Sequence, residues 1–158
     1  MLSLFPYSRE TIVSSYNARE LSQRLWKVTQ PTREGEWMPD VEDDELLFNG
    51  RVKGNEFKLS RKVKRANNFL PLMSGTIESS SMGSIVFIQY KLFIWTLSFL
   101  IFWSVLTSLF ALYFFVYERI YINAAFSLSV GLANYVIALL NFQRQVKISS
   151  RTIKEVLQ

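Results

Sequence analysis

The sequence predicts an α+β protein, a small antiparallel sheet with one helix, followed by a two-helix transmembrane hairpin. Three observations carry that reading. Residues 92–143 hold only two charges, the adjacent pair Glu118 and Arg119. Residues 46–91 contain four short runs of β character separated by turn residues. Asn17-Ala-Arg-Glu20 reads as a capping box ahead of an apolar stripe. The expected division is a cytosolic α+β domain over 1–91, a helical hairpin over 92–143 with spans 92–117 and 120–143, and a basic cytosolic tail over 144–158.

In chain order, Arg9–Ser15 is rich in β-branched residues and predicts a strand. Ala18, Leu21, Leu25 and Val28 recur at helical spacing behind the Asn17 cap, and Pro31 stops the run, so a helix is expected over about 17–29. One long helix from Ser8 competes with this reading, but the internal cap argues against it. Residues 31–45 carry two Pro, one Gly and the acids Asp40, Glu42, Asp43, Asp44 and Glu45, and read as a loop. Clustered carboxylates invite a Ca²⁺ site, yet the spacing is not that of an EF-hand, which leaves a solvated charge run and no metal or cofactor. Strands follow at Leu46–Val52, Glu56–Val63, Phe69–Glu78 and Ser84–Lys91. In the second of these, Phe57, Leu59, Arg61 and Val63 share one side. The basic patch Arg61, Lys62, Lys64 and Arg65 sits at the hairpin tip. It reads either as a contact with anionic headgroups or as a solvated hairpin end.

Leu92–Tyr117 is uncharged and apolar all round, unlike a soluble amphipathic helix, with Trp95, Tyr113 and Tyr117 near its ends. Ile120–Gln143 is less apolar. It carries Ser127, Gly131 and Asn134 at i, i+4 and i+7, a face suited to packing on the first span or to a pore or homo-oligomer contact. An amide at the depth of Asn134 needs a partner. Only Glu118 and Arg119 separate the spans, so both flanks lie on one side. Basic residues crowd those flanks, Arg61 to Lys91 before and Arg144 to Lys154 after. The positive-inside rule therefore places both termini in the cytoplasm and the hairpin tip outside. The first residues lack the basic start and apolar length of a signal peptide, in agreement.

The run Phe48-x-Gly50, Phe57-Lys-Leu-Ser-Arg61, Asn68-Phe-Leu-Pro71, Gly75-x-Ile77 and Gly83-Ser-Ile85 resembles a group of uncharacterised bacterial two-pass membrane proteins. In these a β-rich segment leads into a helical hairpin. The resemblance covers 46–143 best and implies architecture and a bacterial origin, with no activity attached. Asn67-Asn68-Phe69 departs slightly from the expected Asn-Ser-Phe run. Physically, Phe48, Phe57 and Phe69 are expected in the core and Pro71 on an edge strand.

Chemistry is constrained by what is missing. The chain has no Cys and no His, so thiolate, disulfide and Ser-His-Asp chemistry are absent. No Gly-rich phosphate loop or zinc spacing occurs. The net charge of +5 is dispersed along the chain, and a nucleic-acid footprint is not expected. The reading is a non-enzymatic inner-membrane binding or scaffold protein, its partners membrane lipid and either a protein or a small ligand of the cytosolic domain. The alternative is an oligomerising membrane effector or pore. A lipid-processing enzyme using carboxylates at the membrane surface is a weaker third.

Overall fold

Asn17 Oδ1 accepts a hydrogen bond from the Glu20 N–H at 2.8 Å, which starts helix α1 (Ala18–Lys27) where the sequence places it. The Glu20 carboxylate meets Arg24 one turn on. The computed structural model describes residues 5–32, 46–63 and 67–158. Strand β1 (Tyr7–Ser14) precedes α1, and β2 (Thr29–Pro31), β3 (Phe48–Lys53), β4 (Glu56–Arg61), β5 (Pro71–Ser80) and β6 (Gly83–Leu92) follow it. Helix α2 (Ile94–Val116) and the 37-residue helix α3 (Tyr121–Leu157) complete the chain. The acidic cluster from Asp40 to Glu45, and Lys64 and Arg65 of the basic patch, lie outside the described residues.

The strands form one six-stranded sheet in the order β1-β6-β5-β4-β3-β2. Four of its pairings are antiparallel, but β2 runs parallel to β3, so the sheet is mixed. Strand β2 was not expected. It is only three residues long, begins one residue after α1, and ends at Pro31, which has no N–H to continue a ladder. Pro71 also corrects its expectation. It is the first residue of β5, an interior strand, a position proline tolerates because β4 joins β5 only from Leu72.

Alternate residues of the strands face one core. Ile12, Phe48, Phe57, Leu59, Met73, Ile77, Val86, Ile88 and Tyr90 are buried there against Leu21 and Leu25 of α1. Phe69 stands half-buried and Leu70 fills the core position instead. Phe57 lies across Gly75 in register, and a Cβ at Gly75 would fall 2.3 Å from the Phe57 ring, so only glycine fits beneath it.

The last turns of α3 close this core. Phe142, Ile153 and Leu157 are fully buried in the same cluster, with Val146 and Val156 packed on it, a stripe with the 3.6-residue period. Ser14 Oγ donates to the Leu157 carbonyl at 2.6 Å, pinning the helix end to β1. Residues 144–158, read from sequence as a separate tail, are therefore part of the sheet domain. The hairpin is inserted between β6 and the helix segment that completes the fold.

Candidate functional site

Register defines two ends of the sheet. Tyr7 pairs with Lys91, Pro71 with Leu92, and Phe48 with Arg61, so these residues lie at the end from which α2 departs. At this end Thr96 Oγ1, in the first turn of α2, donates to the Asn68 carbonyl at 2.8 Å. Ser14, Ser84 and Leu157 mark the far end.

Helices α2 and α3 are each long and apolar enough to cross a membrane, and only 11% of the most apolar window of each is buried. Trp95, Phe99, Phe110, Ile122, Phe126 and Leu132 are exposed on them. Of the residues singled out on the second span, Gly131 meets α2. A Cβ there would stand 2.4 Å from Thr107 Oγ1, so the glycine allows the two backbones to approach. Ser127 is half-buried beside it, and Ala124 and Ala138 are buried one heptad to either side of Gly131. Asn134 is not on this contact. Its side chain is exposed on the outer surface of the hairpin.

Arg61 is not a solvated cation at a hairpin tip. Its position on the inner side of β4 directs it under α3, where Nη2 donates to Gln145 Oε1 at 2.8 Å. Nε is buried, and burial lowers the guanidinium pKa. Even so it remains a cation, since a guanidinium pKa lies far above neutrality. Lys62 follows at the same end of the sheet, so the described half of the basic patch borders the base of the hairpin.

A polar cluster that sequence reasoning missed joins β1, β6 and α3. Glu10 Oε2 accepts from Tyr90 Oη at 2.9 Å and from Ser150 Oγ at 2.7 Å, while Oε1 pairs with Lys154 Nζ at 2.5 Å. Burial alone would raise the Glu10 carboxyl pKa. The hydrogen bonds from Lys154, Ser150 and Tyr90, with the Lys154 charge, outweigh it and hold the pKa below its ordinary value. Burial, then the hydrogen bond and charge of Glu10, push the Tyr90 phenol well above its ordinary pKa, so it stays a neutral donor. One signal was present in the sequence: Glu10 shares the inward face of β1 with Ile12 and Ser14, an odd place for an acid.

Two concavities flank these elements. One, of about 330 Å³, opens beside the Glu10 cluster between β1 and α3, lined by Tyr7, Arg9, Phe142, Lys147 and Ser150 among others. The larger, of about 440 Å³, lies on the outer face of the sheet, away from both helices. There Arg51, Lys58, Ser74 and Gln89 stand side by side across four strands, next to the row Lys53, Glu56, Thr76 and Phe87. In the smaller one the Ser150 hydroxyl is held by the Glu10 carboxylate, itself paired with Lys154, and no group of three metal-ligating side chains occurs among the described residues.

No protein-family model matches the chain, and no curated protein matches it. A solution NMR structure of a polyketide cyclase-like protein from Corynebacterium glutamicum is similar at 12% identity and a TM-score of 0.30, over 91% of this chain and 93% of that one.

Proposed function

We propose that this chain is a non-enzymatic membrane-anchored binding protein. The sheet domain is cytosolic, held at an inner membrane by a hairpin of α2 and residues 121–143 of α3. The observation that carries the reading is the exposure of both apolar helices around most of their circumference. In water such a surface would be an aggregation site far larger than soluble proteins tolerate. At 1.5 Å per residue, the 23 residues of α2 reach about 35 Å, enough for a ~30 Å hydrocarbon core. Arg61, Lys62, Lys91, Arg144 and Lys147 gather at the base of the hairpin, whereas its tip carries only Glu118 and Arg119, the asymmetry expected when the base faces the cytoplasm.

The outer groove of the sheet is the binding face. Arg51 and Lys58, adjacent in register, have no acidic partner among the described residues, which suits an acidic protein segment or a small anionic ligand. The test is extraction of membranes with alkaline carbonate and then with detergent. The chain should resist the first and dissolve in the second; recovery as a monodisperse protein without detergent would end the proposal.

Asn134 favours a second reading, an oligomerising effector. Asn123, Val130, Asn134, Ile137 and Asn141 follow a 3.5-residue repeat along one side of α3 with Ser127 at its border. Asn141 spends its amide N–H on the Ile137 carbonyl, but Asn134 has no hydrogen-bond partner among the described residues. A second copy would supply one, because an amide both donates and accepts.

A further inference from the structure

The two edges of the sheet are built differently. At one, β2 is three residues long and ends at Pro31, so it offers little for another strand to pair with. At the other, β1 is eight residues long, holds no proline, and pairs with β6 along its whole length without a bulge. Its second side has no strand beside it.

Register shows which groups that open side presents. The β5–β6 hairpin turns through Ser81 and Met82 and is closed by the pair Ser80 and Gly83. In such a hairpin the closing pair exchanges hydrogen bonds, and an antiparallel ladder alternates from there. The odd-numbered residues of β6 therefore turn their N–H and C=O groups to β5, and the even-numbered ones turn theirs to β1. Their partners on β1 are Ser8, Glu10, Ile12 and Ser14. The backbone groups of Arg9, Thr11 and Val13 are left pointing off the sheet. Tyr7 agrees, since its N–H meets the Phe5 carbonyl at 2.7 Å instead of β6. Arg9, Thr11 and Val13 are exposed, and no backbone hydrogen bond links this side of β1 to another element among the described residues.

The concavity of about 330 Å³ follows this edge, with Tyr7, Ser8, Arg9 and Glu10 all lining it. Successive strand residues face opposite sides, so four in a row border one space where it runs along the open edge. Helix α3 supplies the opposite wall through Gln143 and Lys147. An extended peptide adds to such an edge by main-chain hydrogen bonds, and its alternate side chains give specificity.

Charge selects the peptide. Arg9 and Lys91 stand on the outer face of the sheet and Lys147 on the inner, helix-covered side, and none has an acidic partner among the described residues. A strand laid against β1 faces both ways, so two adjacent acidic residues answer the two sides separately. Glu10, the acid of β1, is occupied by Lys154, Ser150 and Tyr90, so its charge is offset locally. A second copy of this chain would bring the same cations to the same edge, where like charges repel.

We infer that the open edge of β1 takes up an extended acidic segment of a partner protein as a seventh strand of the sheet. The inference rests on neither the outer groove nor the membrane anchor.

The test uses the full chain in detergent and, as probe, a fluorescent ten-residue peptide of Thr and Val around a central Glu-Asp pair. Binding is expected, and it should weaken roughly tenfold or more when the acids are replaced by Lys or when alternate peptide nitrogens are methylated. In the free chain the amides of Arg9, Thr11 and Val13 should exchange hydrogen fast and those of Glu10, Ile12 and Ser14 slowly, and saturating peptide should slow the first set. Thr11→Pro removes an edge-facing N–H and no bond to β6, and should weaken binding by a similar factor. Arg9→Glu should shift the preference towards the Lys peptide, a result that a misfolded variant cannot give. Arg51→Gln/Lys58→Gln on the outer groove should leave binding unchanged. No preference for the acidic peptide, or binding that leaves the three edge amides as they were, would overturn the site. Loss of binding in the outer-groove variant would overturn it in favour of that groove. Slow exchange of all six amides in a free chain of dimeric mass would give the edge to a second copy instead.

Discussion

Helix α3 is one continuous rod with two different surfaces. Over residues 121–141 large apolar side chains are exposed on most sides, with Ile122 at 81%, Phe126 at 69% and Leu132 at 66% accessibility. From Phe142 onward the buried apolar residues form one stripe, and the other faces carry Arg144, Lys147, Ile148, Arg151 and Glu155. Backbone geometry is the same throughout, so the contrast lies in the distribution of side chains. An all-round apolar surface matches a uniform apolar solvent, and a stripe matches a sheet on one side and water on the other. The helix thereby links the proposed membrane segment rigidly to the core of the sheet domain, with no flexible joint between them.

This contrast can be broken at either half. Deleting residues 144–158 removes Ile153 and Leu157 from the core and the Lys154 and Ser150 contacts from Glu10, so the sheet domain should lose its cooperative unfolding transition altogether. Phe142→Ala alone should cost about 3–5 kcal/mol, the range for a large aromatic removed from a packed core. Both effects are read by thermal melts in detergent, and a wild-type melt after the deletion would show that the stripe is dispensable. In the hairpin half, Gly131→Leu should separate α3 from α2 at Thr107 and cost about 1–3 kcal/mol by overpacking. Disulfide trapping between cysteines introduced at flanking positions would detect it, and an unchanged trapping rate would place the helix contact elsewhere.

The Glu10 cluster sharpens the comparison through pH. The folded-state carboxyl pKa lies below the unfolded one, so the stability it contributes is complete above the ordinary carboxyl range and is lost as pH falls through the lower folded value. Glu10→Gln should therefore lower the stability at neutral pH by about 1–2 kcal/mol and flatten the acid limb of the stability curve. A variant that loses stability equally at every pH would assign Glu10 a packing role only. The smallest effect is expected from Asn134→Leu. In an isolated hairpin it should leave stability unchanged or slightly raised, whereas a self-associating chain should lose roughly 0.6 kcal/mol per amide contact. Mass in nanodiscs separates the two.

Much of this fold was legible in the sequence because its signals are local. The Asn17 cap, the alternation in β4 and the turn at Gly54 and Asn55 each need only a few neighbouring residues, and all appear where expected. Strand β2 was not legible. Thr29-Gln-Pro31 has no alternation to display, and its partner Phe48–Gly50 is distant in sequence. The docking of 144–157 was hidden for a related reason: a partial stripe in a short basic segment fits a membrane surface as well as it fits a sheet. The site divides similarly. Gly131 announced close packing by its size, and the structure supplies Thr107 as its partner. Arg61 and Lys62 were found as charges, but their place beside the hairpin base required the strand register. Glu10, Tyr90, Ser150 and Lys154 are spread over the whole chain, and only the pairing of β1 with β6 and the return of α3 bring them together.

The central claim is that the chain leaves the sheet, crosses a membrane, and returns to the same sheet on the same side. The absence of native cysteine makes this directly measurable. Arg119→Cys at the hairpin tip and Lys53→Cys on the outer groove, each in the full chain, would be labelled with a membrane-impermeant maleimide in sealed vesicles of either orientation. Labelling of Arg119→Cys from the external face only, and of Lys53→Cys from the cytoplasmic face only, is the predicted result. Labelling of both positions from one face would contradict it.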